Sequence, residues 1–207
     1  MSRENFLAMR KKPQQTRSVE TVNIILLAAA QVFSRQGYEK TTSDLIAERA
    51  GISIGSFYQY FPGKDAVLCC LLEDHISKAR ALVQSIQEIL LKDDLDLSGA
   101  VRECLRLLFD HHTRELPLDR IINEEIPYPK HIKQSIDAMQ EGLVNSLASF
   151  IELSPQINKS NPKQSARLIV DLVESSTHRF FLSQDNLEEI SEYTRELEEM
   201  ICSYLLK

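Results

Sequence analysis

Residues 42–61, TSDLIAERAGISIGSFYQYF, carry two short helix signals divided by a glycine, and this pairing constrains the chain more than any other feature. Thr42 or Ser43 can cap the first helix, because a side-chain oxygen accepts one of the N–H groups left unpaired in the first turn. Leu45, Ile46 and Ala50 then recur at helical spacing, which predicts one buried face. Ala47 is small where a second helix must cross closely. Gly51 can adopt the left-handed backbone that ends a helix. Ser53 can cap a second helix, Ser53 to Phe61, whose Ile52 and Phe57 turn back to the core. So short a turn between two helices is what a helix-turn-helix requires.

The N-terminal end of a recognition helix enters the major groove, and here that end is Ile54, Gly55 and Ser56. Gly55 allows close backbone approach, Ser56 can bond a base edge or a phosphate, and Ile54 can meet a thymine methyl. Tyr58 and Tyr60 are placed to donate hydroxyls to phosphates. Thr42, Ser43 and Ser53 offer hydroxyls and backbone N–H groups at the two helix starts. Packing within the small domain is the competing role for both tyrosines.

Charge agrees once it is divided along the chain. The net charge is −6, but residues 1–65 hold nine Lys/Arg against six Asp/Glu, and the remainder fifteen against twenty-four. A basic third joined to an acidic body orients a protein on a polyanion. Hydrophobic residues at 43% and charged residues at 26% are ordinary for a globular chain of 207 residues. The longest apolar run, Ile24 to Ala30, is far short of the ~20 residues that span a bilayer. No apolar stretch follows the N-terminal cations, so neither signal peptide nor membrane is expected and the location is predicted to be cytoplasmic. Cys69, Cys70, Cys104 and Cys202 form no C-x-x-C pair and read as reduced structural thiols.

No β-hairpin signal or repeat interrupts the helical pattern, so the predicted fold is all-α with about nine helices. Residues 1–16, with Arg10-Lys11-Lys12-Pro13, read as a flexible basic arm. A helix from Ser18 to Gln36 buries Val22, Ile25, Ala28, Ala29, Val32 and Phe33, and Gly37 stops it. Pro62-Gly63 closes the DNA-binding unit, 17–63. The helical effector-binding and dimerisation body then runs 64–207. Its helices are predicted at Lys64–Leu91, Ala100–Arg114, a short one from Pro117 to near Pro127, His131–Leu153, Lys163–Leu182 and Asn186–Leu206.

The stretch IILLAAAQVFSRQGYEKTTSDLIAERAGISIGSFYQYFPGKDAVL resembles the TetR family of bacterial transcriptional regulators. The resemblance rests on Ile25-Leu26, Ala28-Ala29, Phe33, Gly37-Tyr38, Thr41-Thr42, Ile46-Ala47, Ala50-Gly51-Ile52-Ser53, Gly55, Tyr58, Tyr60-Phe61, Lys64 and Leu68, and covers roughly residues 17–70. It implies a three-helix DNA-binding head on a larger helical body, with Lys64 as a phosphate clamp. Val22 and Asn23 stand where many members carry a basic residue, and Phe57 replaces a commoner leucine.

One such head buries too little surface for regulatory affinity, so two half-sites are expected. Two C-terminal stripes suit an interface: Ile169, Val173, Thr177 and Phe180 on the eighth helix, and Leu197, Ile201 and Tyr204 on the ninth. The competing reading is that these stripes face only their own domain. The resemblance implies a four-helix bundle about a two-fold axis, hence a homodimer on a palindromic operator in double-stranded DNA. It also implies a small-molecule effector bound in the body. Polar residues on otherwise apolar helices are the candidate contacts: His111, His112, Glu124, Tyr128, His178 and Tyr193. Adjacent histidines on a helix diverge by about 100°, so no metal is expected at His111-His112.

No nucleophile elbow, phosphate-binding glycine loop, H-E-x-x-H or placed acid/base pair is present, so no catalysis and no cofactor are expected. The leading expectation is a dimeric repressor released by a ligand. The alternatives are an activator or effector-independent regulator, a helical enzyme or scaffold with a vestigial DNA motif, and a structural adaptor.

Overall fold

A computed structural model describes residues 9–10, 15–92, 96–122, 130–183 and 187–206; the side chains of 115–122, 178, 181–183 and 187–188 fall outside the description. The described residues form eight helices and no strands: α1 Thr16–Lys40, α2 Ser43–Arg49, α3 Ile54–Tyr60, α4 Lys64–Leu90, α5 Leu97–Ile122, α6 Lys130–Leu153, α7 Pro162–Ser183 and α8 Leu187–Leu206. The count is one fewer than the sequence pattern suggests. Pro117 lacks an N–H and reads as the start of a new helix, yet the α5 backbone stays helical through it to Ile122.

The chain forms two compact units, one of Met1–Ser77 with Pro117–Ile132 and one of Lys78–Leu116 with Lys133–Lys207. In the first, α1 packs on α2 and α2 on α3. The α1 stripe buries Val22, Ile25, Ala28, Ala29 and Phe33. Ile46, Ala47, Phe57, Phe61, Ala66 and Val67 complete a tight interior. Gly37, at φ 78° and ψ 168°, breaks α1 where the sequence predicts its end, and one further turn carries the chain to Lys40. Leu45 departs from the expected face: it is 37% exposed, while Ile46 next to it is fully buried. With a seven-residue helix, the narrow buried stripe is filled by Ile46 and Ala47 alone.

The second unit is centred on Leu105 and Phe109 of α5, Val144 and Ile151 of α6, Ala166, Ile169 and Val170 of α7, and Leu197, Ile201 and Leu205 of α8. Polar links join its helices. Gln87 donates to Ser146 Oγ at 2.9 Å. Glu198 accepts from both Ser98 and Arg102, at 2.7 and 2.8 Å. Glu141 pairs with Lys163 at 2.9 Å and also with Arg167. Among the described residues, no helix is long and apolar enough to cross a membrane.

Candidate nucleic-acid interface

The two short helices are capped as the sequence requires. The Thr42 side chain accepts from the Leu45 N–H at 3.2 Å, opening α2, and Ser43 is the first helical residue. Ser53 accepts from the Ser56 N–H at 3.1 Å, opening α3, and the two hydroxyls lie 2.9 Å apart. Gly51, at φ 67°, takes the left-handed turn between them. A side chain there would be strained at that φ.

Two faces of α3 follow from these constraints. Phe57 and the adjoining Phe61 are fully buried, with ring centres 6.0 Å apart. Ile54, Gly55, Tyr58 and Gln59 are exposed on the other side, and Ser56 and Tyr60 are half-buried. Gln59 was not singled out from the sequence, although its place between two tyrosines on the outward side could have flagged it. A Cβ built on Gly55 would meet only Ser53 Oγ, at 3.8 Å. Internal packing therefore does not require glycine at 55, and the bare backbone there is open to something approaching from outside.

The α3 C-terminus is held from an unexpected direction. Arg10 donates its backbone N–H to the Tyr60 carbonyl at 2.8 Å and a guanidinium N–H to the Tyr58 carbonyl at 3.1 Å. A helix leaves its last carbonyls unpaired and partly negative there, and a cation satisfies both needs. The sequence predicts a flexible basic arm over residues 1–16; at residue 10 that arm is fastened.

Lys64 is engaged inside the protein. Its ammonium donates to the carbonyls of Tyr38 and Glu39, at 2.7 and 3.3 Å. The Tyr38 hydroxyl donates to Asp65 at 2.6 Å. Burial, then the Asp65 carboxylate, push that hydroxyl well above its ordinary pKa, so it stays a donor. The start of α4 is thus latched to the end of α1, leaving Lys64 one N–H for an outside anion.

In the second unit, the residues read as interface stripes are taken up by the chain's own core. Thr177 is fully buried, and Ile169, Leu197 and Ile201 are 7% exposed or less. Val173, Phe180 and Tyr204 pack against the same cluster. Phe180 stacks on Tyr193 at 4.5 Å, and Tyr204 bonds Ser165 at 3.0 Å. The apolar side chains left outward on α7 and α8 include Leu168, Leu172 and Met200.

His112 of α5 is buried, and His111 meets it edge-on with ring centres 5.6 Å apart. Glu124 and Tyr128 lie outside the described residues, and for His178 only the helical backbone is described. Sequence reasoning passed over a nearby polar pair: Gln140 donates to Glu174 at 2.7 Å. Burial raises the Glu174 carboxyl above the usual range, opposed by the Gln140 bond and by His112. Thr177 Oγ1 is buried without a hydrogen-bond partner among the described residues.

Residues 25–68 match the family model described as bacterial regulatory proteins, tetR family, and residues 96–205 match that of the tetracyclin repressor-like C-terminal domain. The chain is 24% identical over 183 residues to the HTH-type transcriptional regulator YvdT of Bacillus subtilis, covering 84% of this chain and 89% of YvdT. The fold is similar to the ketosteroid transcriptional regulator KstR2 of Mycobacterium tuberculosis, with a TM-score of 0.70 at 17% identity over 97% of this chain and 99% of that one. It is also similar to the transcriptional regulator FadR of Bacillus subtilis in complex with stearoyl-CoA, with a TM-score of 0.63 at 17% identity over 86% and 96%.

Proposed function

Because the chain belongs to the TetR family of bacterial regulators, we propose that it is a homodimeric repressor held on a palindromic operator and released by a small molecule. The observation that carries the reading is the division of α3. Phe57 and Phe61 anchor it inward, while Ile54, Gly55, Ser56 and Tyr58 are left to the outside at its capped N-terminal end. In this reading Ile54 and Ser56 meet base edges, Gly55 lets the backbone approach, and Tyr58 and Tyr60 contact phosphates. Thr42, Ser43 and Ser53 hold phosphates at the helix starts, and Lys64 adds the N–H its latch leaves over.

The effector is assigned to the helical body, where His112 and Thr177 are buried, Gln140 bonds Glu174, and Phe109, Phe180 and Tyr193 form an aromatic cluster. The stearoyl-CoA complex of FadR supports a body that takes small molecules. Release requires only that the ligand bind the operator-incompetent state more tightly. The subunit contact is assigned to the outward face of α7 and α8, through Leu168, Leu172 and Met200.

Footprinting on DNA upstream of the gene, at two salt concentrations, tests the reading. A protected palindrome weakened by salt supports it, and no protection at low salt overturns it. A reporter that rises when the gene is deleted marks a repressor; one that falls marks an activator.

A further inference from the structure

In the first unit, three side chains of different donor chemistry meet away from the recognition helix. Cys69 and Glu73 are one turn apart on α4, so they share a face. His131 reaches them from the first turn of α6. The Cys69 thiol lies 3.9 Å from Glu73 Oε1, His131 Nε2 lies 3.5 Å from the same oxygen, and all three donor atoms fall within 4.8 Å of one another. Cys69 is buried, whereas the Glu73 and His131 side chains are more than half exposed.

We propose that Cys69, Glu73 and His131 form a binding site for a zinc-class divalent cation, with water as its fourth ligand. Zinc takes thiolate sulfur at about 2.3 Å and imidazole nitrogen or carboxylate oxygen at about 2.0–2.2 Å. A tetrahedral ion with those bonds separates its ligand atoms by roughly 3.3–3.6 Å. The Cys69–Glu73 and Glu73–His131 donor pairs therefore need to close by only a few tenths of an ångström. One sulfur, one nitrogen and one oxygen donor select zinc over magnesium or calcium, which prefer oxygen throughout.

The ion-free alternative is a surface contact. An exposed His–Glu pair is screened by solvent and contributes little, and the thiol adds a weak bond at 3.9 Å. Neither accounts for a buried sulfur aimed at the same carboxylate that the imidazole approaches. The solvent-facing side, where Glu73 and His131 are open, supplies an entry path and room for the water. Three protein ligands with one open position describe an exchangeable site rather than a closed structural one. The site depends on neither the operator nor the effector assignment. It would give the head unit a metal-responsive contact between α4 and the start of α6.

The test is titration of the untagged, reduced, full-length chain with Co²⁺, followed in the near-ultraviolet, where cobalt–thiolate charge transfer absorbs. The expected result is a band that saturates at one ion per chain and disappears when Zn²⁺ is added. It should be absent in Cys69→Ser. It should require at least roughly tenfold more Co²⁺ in His131→Gln and in Glu73→Gln. Both of these positions are exposed, so the variants keep the fold if Cys69→Ser does not. Saturating Zn²⁺ should raise the Tm of the wild type and not that of His131→Gln. No charge-transfer band, or unchanged cobalt affinity in His131→Gln, overturns the proposal.

Discussion

Lys64 meets Tyr38 twice: its ammonium donates to the Tyr38 carbonyl at 2.7 Å and lies 4.2 Å from the centre of the Tyr38 ring. A residue that the family resemblance makes a phosphate clamp is therefore also a strut between α1 and α4. Lys64→Met removes two charge-assisted bonds, each contributing about 1.5 kcal/mol net of the exchange with water. The expected outcome is a Tm lowered by roughly 3–8 °C without DNA, together with weaker operator binding. A clamp with no structural role would leave thermal unfolding untouched, and calorimetry separates the two.

Gly55 offers the cleanest separation of fold from function. The nearest atom to an added Cβ is Ser53 Oγ at 3.8 Å, an ordinary contact. Alanine favours helix over glycine by about 1 kcal/mol. Gly55→Ala should hold or raise the Tm while cutting operator affinity at least about tenfold, because the methyl intrudes where the backbone approaches DNA. Equal affinity in a gel-shift titration would remove Gly55 from the interface.

Ser53 tests the cap. Its hydroxyl is the acceptor for the Ser56 N–H, and alanine should cost about 1 kcal/mol, seen as a midpoint shift in urea. Ser53→Asp restores the acceptor and so the stability. It also sets a negative charge against phosphate, so DNA binding should fall further than in Ser53→Ala. Recovery of both properties in the aspartate variant would place Ser53 away from DNA.

The α7–α8 surface divides into an inside and an outside. Leu168 is 54% exposed and Met200 45%, against 4% for Ile201. Leu168→Glu combined with Met200→Glu should yield a helical monomer in sedimentation, with operator affinity lost. Ile201→Glu should instead unfold the body, since it buries an unpaired charge. A dimer that survives the double substitution would move the subunit contact elsewhere.

Glu174 carries a pH signature. Burial raises its folded-state pKa above the unfolded one, so its favourable contribution is present at acid pH and lost as pH rises through the folded value. Glu174→Gln keeps an acceptor for Gln140 and removes the charge. Its Tm should exceed that of the wild type at about pH 8, and the difference should close towards about pH 4, the ordinary carboxylate range. A difference independent of pH would point to packing rather than charge.

The local devices of the head were readable because each acts within a few residues. Thr42, Gly51 and Ser53 announce caps and a turn, and the Phe57 face follows from 3.6-residue spacing. Long-range partnerships were not readable. The stripe through Ile169, Thr177 and Ile201 announces burial but not what buries it, and its own core does so. Leu45 kept the period of a buried residue, yet a short helix had room for only part of that face. Pro117 carries a strong break signal that helix continuity overrode. The Arg10, Lys64 and His131 contacts join residues distant in sequence, where periodicity is silent.

The Arg10 clasp on the last carbonyls of α3 has a practical consequence. It brings residue 10 to the very helix that is assigned to the groove. Affinity handles and fluorescent fusions spliced just ahead of that residue would be carried alongside the nucleic acid, competing for space and charge with the bound duplex. Immobilisation or labelling for binding work belongs away from residue 10.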